Sequence, residues 1–415
     1  MRARTRKDWL IPAVILLVTT GLGWAAFRLG EAYPGGEHFI GLWSGGRAFL
    51  TEGLSPYSEE VQQQVGEAVR DWGRQPEASR NLFSYPFYAL LPALPFVLVS
   101  DYSLARLLWA MAGITGLLLT CLAAVRLSGW RPKALSLGAA LLFVLFNPYT
   151  VTALVTGNLA LLTLLLIASA LLAVRGGLDE LGGLALALAT ITPQLALPLL
   201  GFVSVWAVSQ RRDQLLLWTW GGVGLMIAGS WLAHGAWMTG YIQTLGQLYW
   251  LEGIYTPGQA LRSWWPGFGA QMGWTLTVLL GLLLLNEWRL AFGKGERWMT
   301  WTAGLTLAAG GLLGLRTEPA SLVVALLPLL LVVGWWDERW GGRYGWTSAV
   351  ILLGLLGALW RLAPRGVVEL AYPGITPQLY FALPIFTILG LYWVRWLALK
   401  PRGTLLDELR QGGEI

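Results

Sequence analysis

Long apolar stretches, separated by short polar segments, run through most of this chain of 415 residues. A helix needs about 20 apolar residues to cross a bilayer, so a stretch of that length with few charges predicts a membrane span. The first one covers residues 9–29, polar residues 30–80 follow, and the apolar pattern then resumes over residues 81–398. The pattern predicts an all-α, polytopic membrane protein, with a single transmembrane domain over residues 1–415.

Two of the apolar stretches leave the number of spans open. Residues 81–100 contain three prolines, and residues 181–210 are interrupted at Thr192-Pro193-Gln194. Because Lys and Arg collect in cytoplasmic loops, the basic residues between spans favour one choice. They all stay inside if residues 81–100 do not cross and residues 181–210 form two short helices that meet near Pro193.

This choice predicts about 12 membrane segments, with both termini in the cytoplasm and residues 399–415 as a cytoplasmic tail. The later spans are expected near residues 215–233, 270–286, 298–315, 319–336, 344–360 and 376–394. The polar segment 30–80 then lies outside the cytoplasm, as do both histidines, His38 and His234. The predicted location is the cell membrane, with the functional site on the extracytoplasmic side.

The first outer segment is predicted to carry amphipathic helices. Apolar residues recur at three- and four-residue spacing over residues 39–50, which predicts a helix lying on the membrane interface. Ser55-Pro56, followed by Glu59 and Glu60, indicates the start of a second helix, with proline in its first turn and acids near its positive end.

Composition supports the membrane class and excludes others. Hydrophobic residues make up 55% of the chain and charged residues only 13%, whereas soluble domains carry about 25% charged residues. The net charge of +6 is spread between apolar stretches and forms no continuous basic face, so no nucleic-acid partner is expected. The single cysteine, Cys121, rules out an internal disulfide and a cysteine-based metal site. No metal or cofactor motif occurs.

Several short motifs occur in order through the first half of the chain: Glu37-His38-Phe39, Trp43 to Arg47, Gly53 with Ser55-Pro56-Tyr57, Phe83-Ser84-Tyr85-Pro86, Gly157-Asn158-Leu159-Ala160 and the Gly-rich residues 182–194. Together they resemble glycosyltransferase family 87. The resemblance implies the C-type glycosyltransferase fold, in which a multispan enzyme takes a sugar from a polyprenyl-phosphate donor outside the cytoplasm. Known family members are α-mannosyltransferases that need neither a nucleotide sugar nor a metal. A glycolipid or glycan acceptor and membrane lipids are the other partners implied.

The chain departs from the family pattern at three positions. His38 stands where the family has an acidic residue, usually Asp, and Glu37 is the adjacent carboxylate. Thr192 replaces the family's lysine before the Pro-Gln step, and Asn158 replaces the glutamine of the glycine turn.

Glycosyl transfer with inversion needs one base opposite the leaving phosphate, and donors or positive charge to stabilise that phosphate. Glu37 is the first candidate for the base, and His38 is an alternative base or phosphate partner. The structural alternatives are a solvated loop carboxylate and an interfacial imidazole. The candidate substrate-binding residues are Arg47, Tyr57, Tyr85, Asn158, Gln194, His234, Arg316 and Glu318.

Several of these residues have a plainer interpretation as well. Arg47 can face a donor phosphate or a lipid headgroup, and Arg316 can bind phosphate or pair with Glu318. Tyr85 and Asn158 suit sugar hydroxyls, but also interfacial anchoring and helix capping. Two other functions stay open at this point: a flippase or transporter of a lipid-linked sugar, and a non-catalytic member of the same fold.

Overall fold

The computed structural model describes residues 19–21, 36–71, 83–249, 256–315, 317–340, 345–363 and 377–399. Most of the predicted first span and all but the first residue of the predicted tail lie outside these ranges, as does Arg316. The regular elements of the described residues are all helices. This agrees with the all-α membrane prediction.

The helices of the first half are α1 (Glu37–Glu52), α2 (Glu59–Asp71), α3 (Leu90–Val97), α4 (Tyr102–Ser128), α5 (Ala134–Phe146), α6 (Pro148–Thr156), α7 (Ala160–Arg175), α8 (Asp179–Ala189) and α9 (Pro193–Ser209). Those of the second half are α10 (Asp213–Ala233), α11 (Trp237–Tyr249), α12 (Pro257–Arg262), α13 (Gly269–Ala291), α14 (Glu296–Gly310), α15 (Leu326–Trp340), α16 (Trp346–Leu362), α17 (Pro377–Trp393) and α18 (Arg395–Leu399). Short 3-10 helices, Phe87–Ala89 and Pro319–Ala325, precede α3 and α15.

Four helices of the described chain are long and apolar enough to cross a membrane: α4, α10, α13 and Ala320–Trp340. The bent pair α5 and α6 makes a fifth if it is counted as one span, and shorter apolar helices include α7, α9 and α16. The predicted spans near 215–233 and 270–286 correspond to α10 and α13. The total of about 12 segments stays a prediction.

The bundle is built around α15. Of the most apolar stretch of Ala320–Trp340, 94% is buried inside the protein, against 22% for α10 and 17% for α13. The α15 helix packs against α4, α14, α16 and α17, whereas α10 and α13 pack at the edge against α8 and α12. Because they are apolar and yet exposed, α10 and α13 present their free faces to lipid.

Both ambiguous stretches fold as short pieces. The α3 helix has eight residues and is therefore only about 12 Å long, too short to cross a bilayer. The α8 and α9 helices are separated at residues 190–192, with Pro193 in the first turn of α9. At this break Thr163 Oγ1 and Thr192 Oγ1 are 2.7 Å apart, and Tyr88 donates to the Thr190 carbonyl at 3.2 Å.

Two details of the first outer segment differ from expectation. The apolar residues of α1 are buried mostly against protein, with Phe39 and Leu42 fully covered, because α1 packs on α3 and α4. Pro56 lies in the turn before α2 and not within the helix, since Ser55 Oγ accepts from the Tyr57 amide and closes that turn first. Glu59 does begin α2.

The bundle has two ends, which we call the site end and the opposite end. The site end holds α1 and the start of α4; the 27 residues of α4 then extend about 40 Å away from it. At the opposite end the buried Asp337 of α15 accepts hydrogen bonds from Trp130 Nε1 at 2.7 Å, Ser136 Oγ at 3.2 Å and Ser348 Oγ at 2.6 Å. This carboxylate ties α4, α5 and α16 to the central helix.

Candidate active site

Four of the candidate residues meet at the site end, although they come from four separate parts of the chain. His38 Nε2 lies 3.0 Å from Glu318 Oε2, and Asn158 Nδ2 donates to the same oxygen at 3.0 Å. The phenol of Tyr85 is close enough to Glu318 to be affected by its charge. We call His38, Tyr85, Asn158 and Glu318 the site cluster.

The cluster forms because helix ends converge. His38 is in the first turn of α1, Asn158 is in the turn between α6 and α7, and Glu318 precedes the 3-10 helix that leads into α15. The 3-10 helix packs against both α6 and α7, which brings Glu318 beside Asn158.

Gly157 allows α1 to approach this turn. It ends α6 in the left-handed conformation, with φ of 69°, which glycine adopts without strain. A Cβ atom at this position would lie 2.5 Å from Cβ of Phe39 on α1. Its carbonyl accepts a hydrogen bond from Trp109 Nε1 of α4 at 3.1 Å. Gly157 is therefore held between α1 and α4, and His38 is carried in with Phe39.

Asn158 fixes the orientation of Glu318. Its Oδ1 accepts from the Ala160 amide at 2.8 Å, while its Nδ2 donates to Glu318. The first bond is a local turn that Asn forms readily. One buried amide thus carries out the predicted helix-end role and also contacts a site carboxylate.

Tyr57 contacts Tyr85 of the site cluster, and we call these two tyrosines the wall of the cluster. Tyr57 donates its hydroxyl hydrogen to the Tyr85 carbonyl at 2.8 Å. Burial raises the pKa of the Tyr85 phenol, and the charge of Glu318 raises it further. Burial also raises the pKa of Tyr57. Both phenols therefore stay protonated and act as hydrogen-bond donors, not as bases.

Glu37 occupies a different environment from that of His38. It is 5% exposed, and together with Arg106 it lies near the Tyr102 hydroxyl. Arg106 is not among the candidates that the sequence offered. An arginine one turn inside an apolar span is nevertheless a signal of a functional or paired group. Glu318 is 27% and His38 13% exposed by side chain, so of the two carboxylates Glu37 and Glu318, Glu318 is the more exposed.

The remaining candidates lie outside the cluster. The Arg47 guanidinium stacks 5.2 Å from the Trp43 ring centroid, and Gln194 lies half-buried in the first turn of α9. His234 ends α10, with its Nε2 3.0 Å from Ser55 Oγ; burial lowers its pKa. Arg316 is outside the described residues, so its role stays a prediction.

Thr192 is 2% exposed, and its hydroxyl oxygen lies 2.7 Å from that of Thr163. In the part of the chain that the structure describes, no three His, Cys, Asp or Glu side chains are grouped to hold a metal ion.

Helices long and apolar enough to cross a membrane define the chain as a helical membrane protein. The model of glycosyltransferase family 87 matches residues 83–313, which is more than half of the 415 residues. The chain belongs to this family of membrane glycosyltransferases. Comparison with curated proteins and with solved structures finds no match.

Proposed function

We propose that this protein transfers a hexose, mannose in the first instance, from a polyprenyl-phosphate donor to a glycolipid or glycan acceptor, with inversion. The site end faces the extracytoplasmic side in this proposal. The observation that carries it is the contact between His38 and Glu318, to which Asn158 adds a second donor.

The cluster supplies what such a transfer needs from a base. Glu318 combines a carboxylate with partial exposure, so an acceptor hydroxyl can approach it. In the reaction this hydroxyl oxygen forms a bond to the anomeric carbon as the bond from that carbon to the phosphate oxygen breaks. Glu318 takes the hydroxyl proton, and the polyprenyl phosphate leaves with the bonding electrons.

In this scheme His38 orients the Glu318 carboxylate and favours its charged form. Its Nε2 and Asn158 Nδ2 both contact Oε2, which fixes the plane of the carboxylate. An imidazole beside a carboxylate can also share the proton that the carboxylate accepts. The family usually has an acidic residue where this chain has His38. In this proposal Glu318 supplies the carboxylate instead.

Glu37, the first candidate for the base on the sequence alone, becomes the second candidate in this proposal. It adjoins His38 and is a carboxylate, as expected from the sequence, but it is much less exposed than Glu318. Measuring turnover in variants of Glu37 and of Glu318 distinguishes the two candidates.

The test uses purified protein in detergent with polyprenyl-phosphate mannose and a panel of glycolipid and glycan acceptors. Mass spectrometry follows release of polyprenyl phosphate and the mass of the product. We expect Glu318→Gln to lower turnover roughly 10²–10⁴-fold, the usual contribution of a general base, with donor binding retained. His38→Gln should lower turnover less and shift its pH profile.

Glu52→Gln serves as the matched control, because Glu52 is an exposed carboxylate at the far end of the same helix as His38. Full activity of Glu318→Gln combined with loss of activity in Glu37→Gln would move the base to Glu37. Donor binding without turnover in the unmodified protein would instead support a non-catalytic role, and coupled vesicle uptake would support a transporter.

A further inference from the structure

The surface of α11 is divided into three faces of different character. Its buried or half-buried face comprises Trp237, Gly240, Tyr241 and Thr244. A second face is apolar and exposed, with Met238 at 47%, Ile242 at 61% and Leu245 at 42%. A third face is exposed and consists of Thr239, Gln243, Gly246 and Gln247. At 3.6 residues per turn, the three faces are separated by about a third of a turn each.

The first face packs on aromatic residues next to the candidate site. A Cβ atom at Gly240 would lie 2.8 Å from Cβ of Tyr57, so the absence of a side chain at Gly240 allows the close approach of α11 to Tyr57. The Trp237 ring lies 6.1 Å from the Tyr88 ring, edge to face. Tyr57 in turn bonds to the Tyr85 carbonyl. Through these contacts α11 supports the wall of the site cluster.

The second and third faces have opposite preferences for water. Three large apolar side chains form one exposed stripe, and the stripe beside it is polar or small. Residues 237–249 contain no Asp, Glu, Lys or Arg. A helix that sorts its exposed residues in this way lies at a boundary between an apolar phase and water.

The apolar stripe is continuous with a lipid-facing surface. The α10 helix is membrane-capable, and near its end Trp231 and Leu232 are 68% and 91% exposed. Only residues 234–236 separate α10 from α11. The α11 helix therefore begins at the depth where α10 leaves the hydrocarbon, and the neighbouring apolar phase is the bilayer.

We propose that α11 lies in the membrane interface, with Met238, Ile242 and Leu245 in the acyl-chain region and Gln243 and Gln247 toward the water. The partner of the apolar stripe is the lipid bilayer itself. Because α11 contacts Tyr57, and Tyr57 bonds to Tyr85, the depth of α11 in the membrane interface then determines where these two tyrosines lie. This inference does not depend on the donor, the acceptor or the base.

The test uses single cysteines in a Cys121→Ala background, since Cys121 is the only cysteine of the chain. Ile242→Cys and Gln243→Cys form a matched pair of neighbours, and Leu245→Cys and Gln247→Cys form a second. Each cysteine carries the environment-sensitive fluorophore NBD, and the protein is placed in phosphatidylcholine nanodiscs. Quenching is measured with nitroxide-bearing acyl chains in the bilayer and with iodide in the water.

Labels at 242 and 245 should emit at shorter wavelength and be quenched by the nitroxide lipids more than by iodide. Labels at 243 and 247 should show the reverse. Iodide quenching at all four positions, without nitroxide quenching, would place α11 in water and overturn the inference. Protection of positions 242 and 245 from both quenchers would also overturn it, because a second copy of the chain would then cover the stripe.

Discussion

Gly157 determines the backbone geometry beside the candidate active site. Its left-handed conformation lets the chain turn from α6 to α7, and the missing side chain leaves room for Phe39. The next residue, Asn158, holds the Glu318 carboxylate. A small displacement of this turn therefore displaces the Glu318 carboxylate, which is the base under the proposed function.

Gly53 offers a matched comparison. It ends α1 with φ of 70° and has no atom within 4 Å of a Cβ position. We expect Gly53→Ala to destabilise the fold by about 1 kcal/mol, from backbone strain alone. Gly157→Ala should cost about 1–3 kcal/mol more, because the methyl group overlaps Phe39.

Thermal unfolding in detergent measures both variants, and the turnover assay should show loss of activity only for Gly157→Ala. Equal stability and equal activity of the two variants would mean that the close approach of α1 is not required.

At the residue scale the sequence offered His38, Tyr85, Asn158 and Glu318 as candidates but could not show that they lie together, and their role in the reaction stays a prediction. Asn158 and Glu318 are 160 positions apart, and periodicity along a chain carries no information on such pairs. Glu318 was expected beside Arg316 as part of an ion pair or phosphate site. Its contacts with His38 and Asn158 became visible only when the helix ends were placed together.

At the scale of elements, the prolines and the basic residues were the reliable guides. They predicted that residues 181–210 form two helices, and α8 and α9 do meet beside Pro193. Periodicity located α1, but it could not show whether its apolar face covers lipid or protein. The answer depends on α3 and α4, which pack against it.

Asp337 makes a prediction about how the helices are joined. Its carboxylate accepts from Trp130, Ser136 and Ser348. Replacing it with alanine leaves three buried donors without their acceptor, so we expect Asp337→Ala to cost about 2–4 kcal/mol of stability. The loss should appear as a lower thermal midpoint in detergent.

Glu180→Gln is the control, because Glu180 is an exposed carboxylate at the start of α8, at the same end of the bundle. A similar midpoint for Asp337→Ala and Glu180→Gln would show that the carboxylate is dispensable for joining α4, α5 and α16.

At the scale of the whole molecule, the two ends of the bundle differ in charge. The helix ends opposite the site carry Arg126, Arg131, Lys133, Arg175, Arg212 and Arg289, among others. Lys and Arg favour the cytoplasmic side, so this end is predicted to face the cytoplasm. This sidedness stays a prediction; it rests on composition between spans and not on packing.

Cysteine labelling in a Cys121→Ala background tests the orientation. Glu52 at the end of α1 and Arg131 beyond α4 are both exposed. A membrane-impermeant maleimide should label Glu52→Cys on intact cells and Arg131→Cys only after permeabilisation. The opposite pattern would invert the topology and place the site cluster in the cytoplasm.

The pairing of His38 with Glu318 also bears on the order in which the protein becomes competent. Helices α1 to α14 precede residue 318, so a ribosome delivers these helices before the carboxylate, and the central helix α15 follows it. A product released before residue 318 lacks both the base proposed here and the helix around which the bundle is built. Under that proposal, enzymatic activity reports that synthesis has passed residue 318, whereas membrane insertion does not.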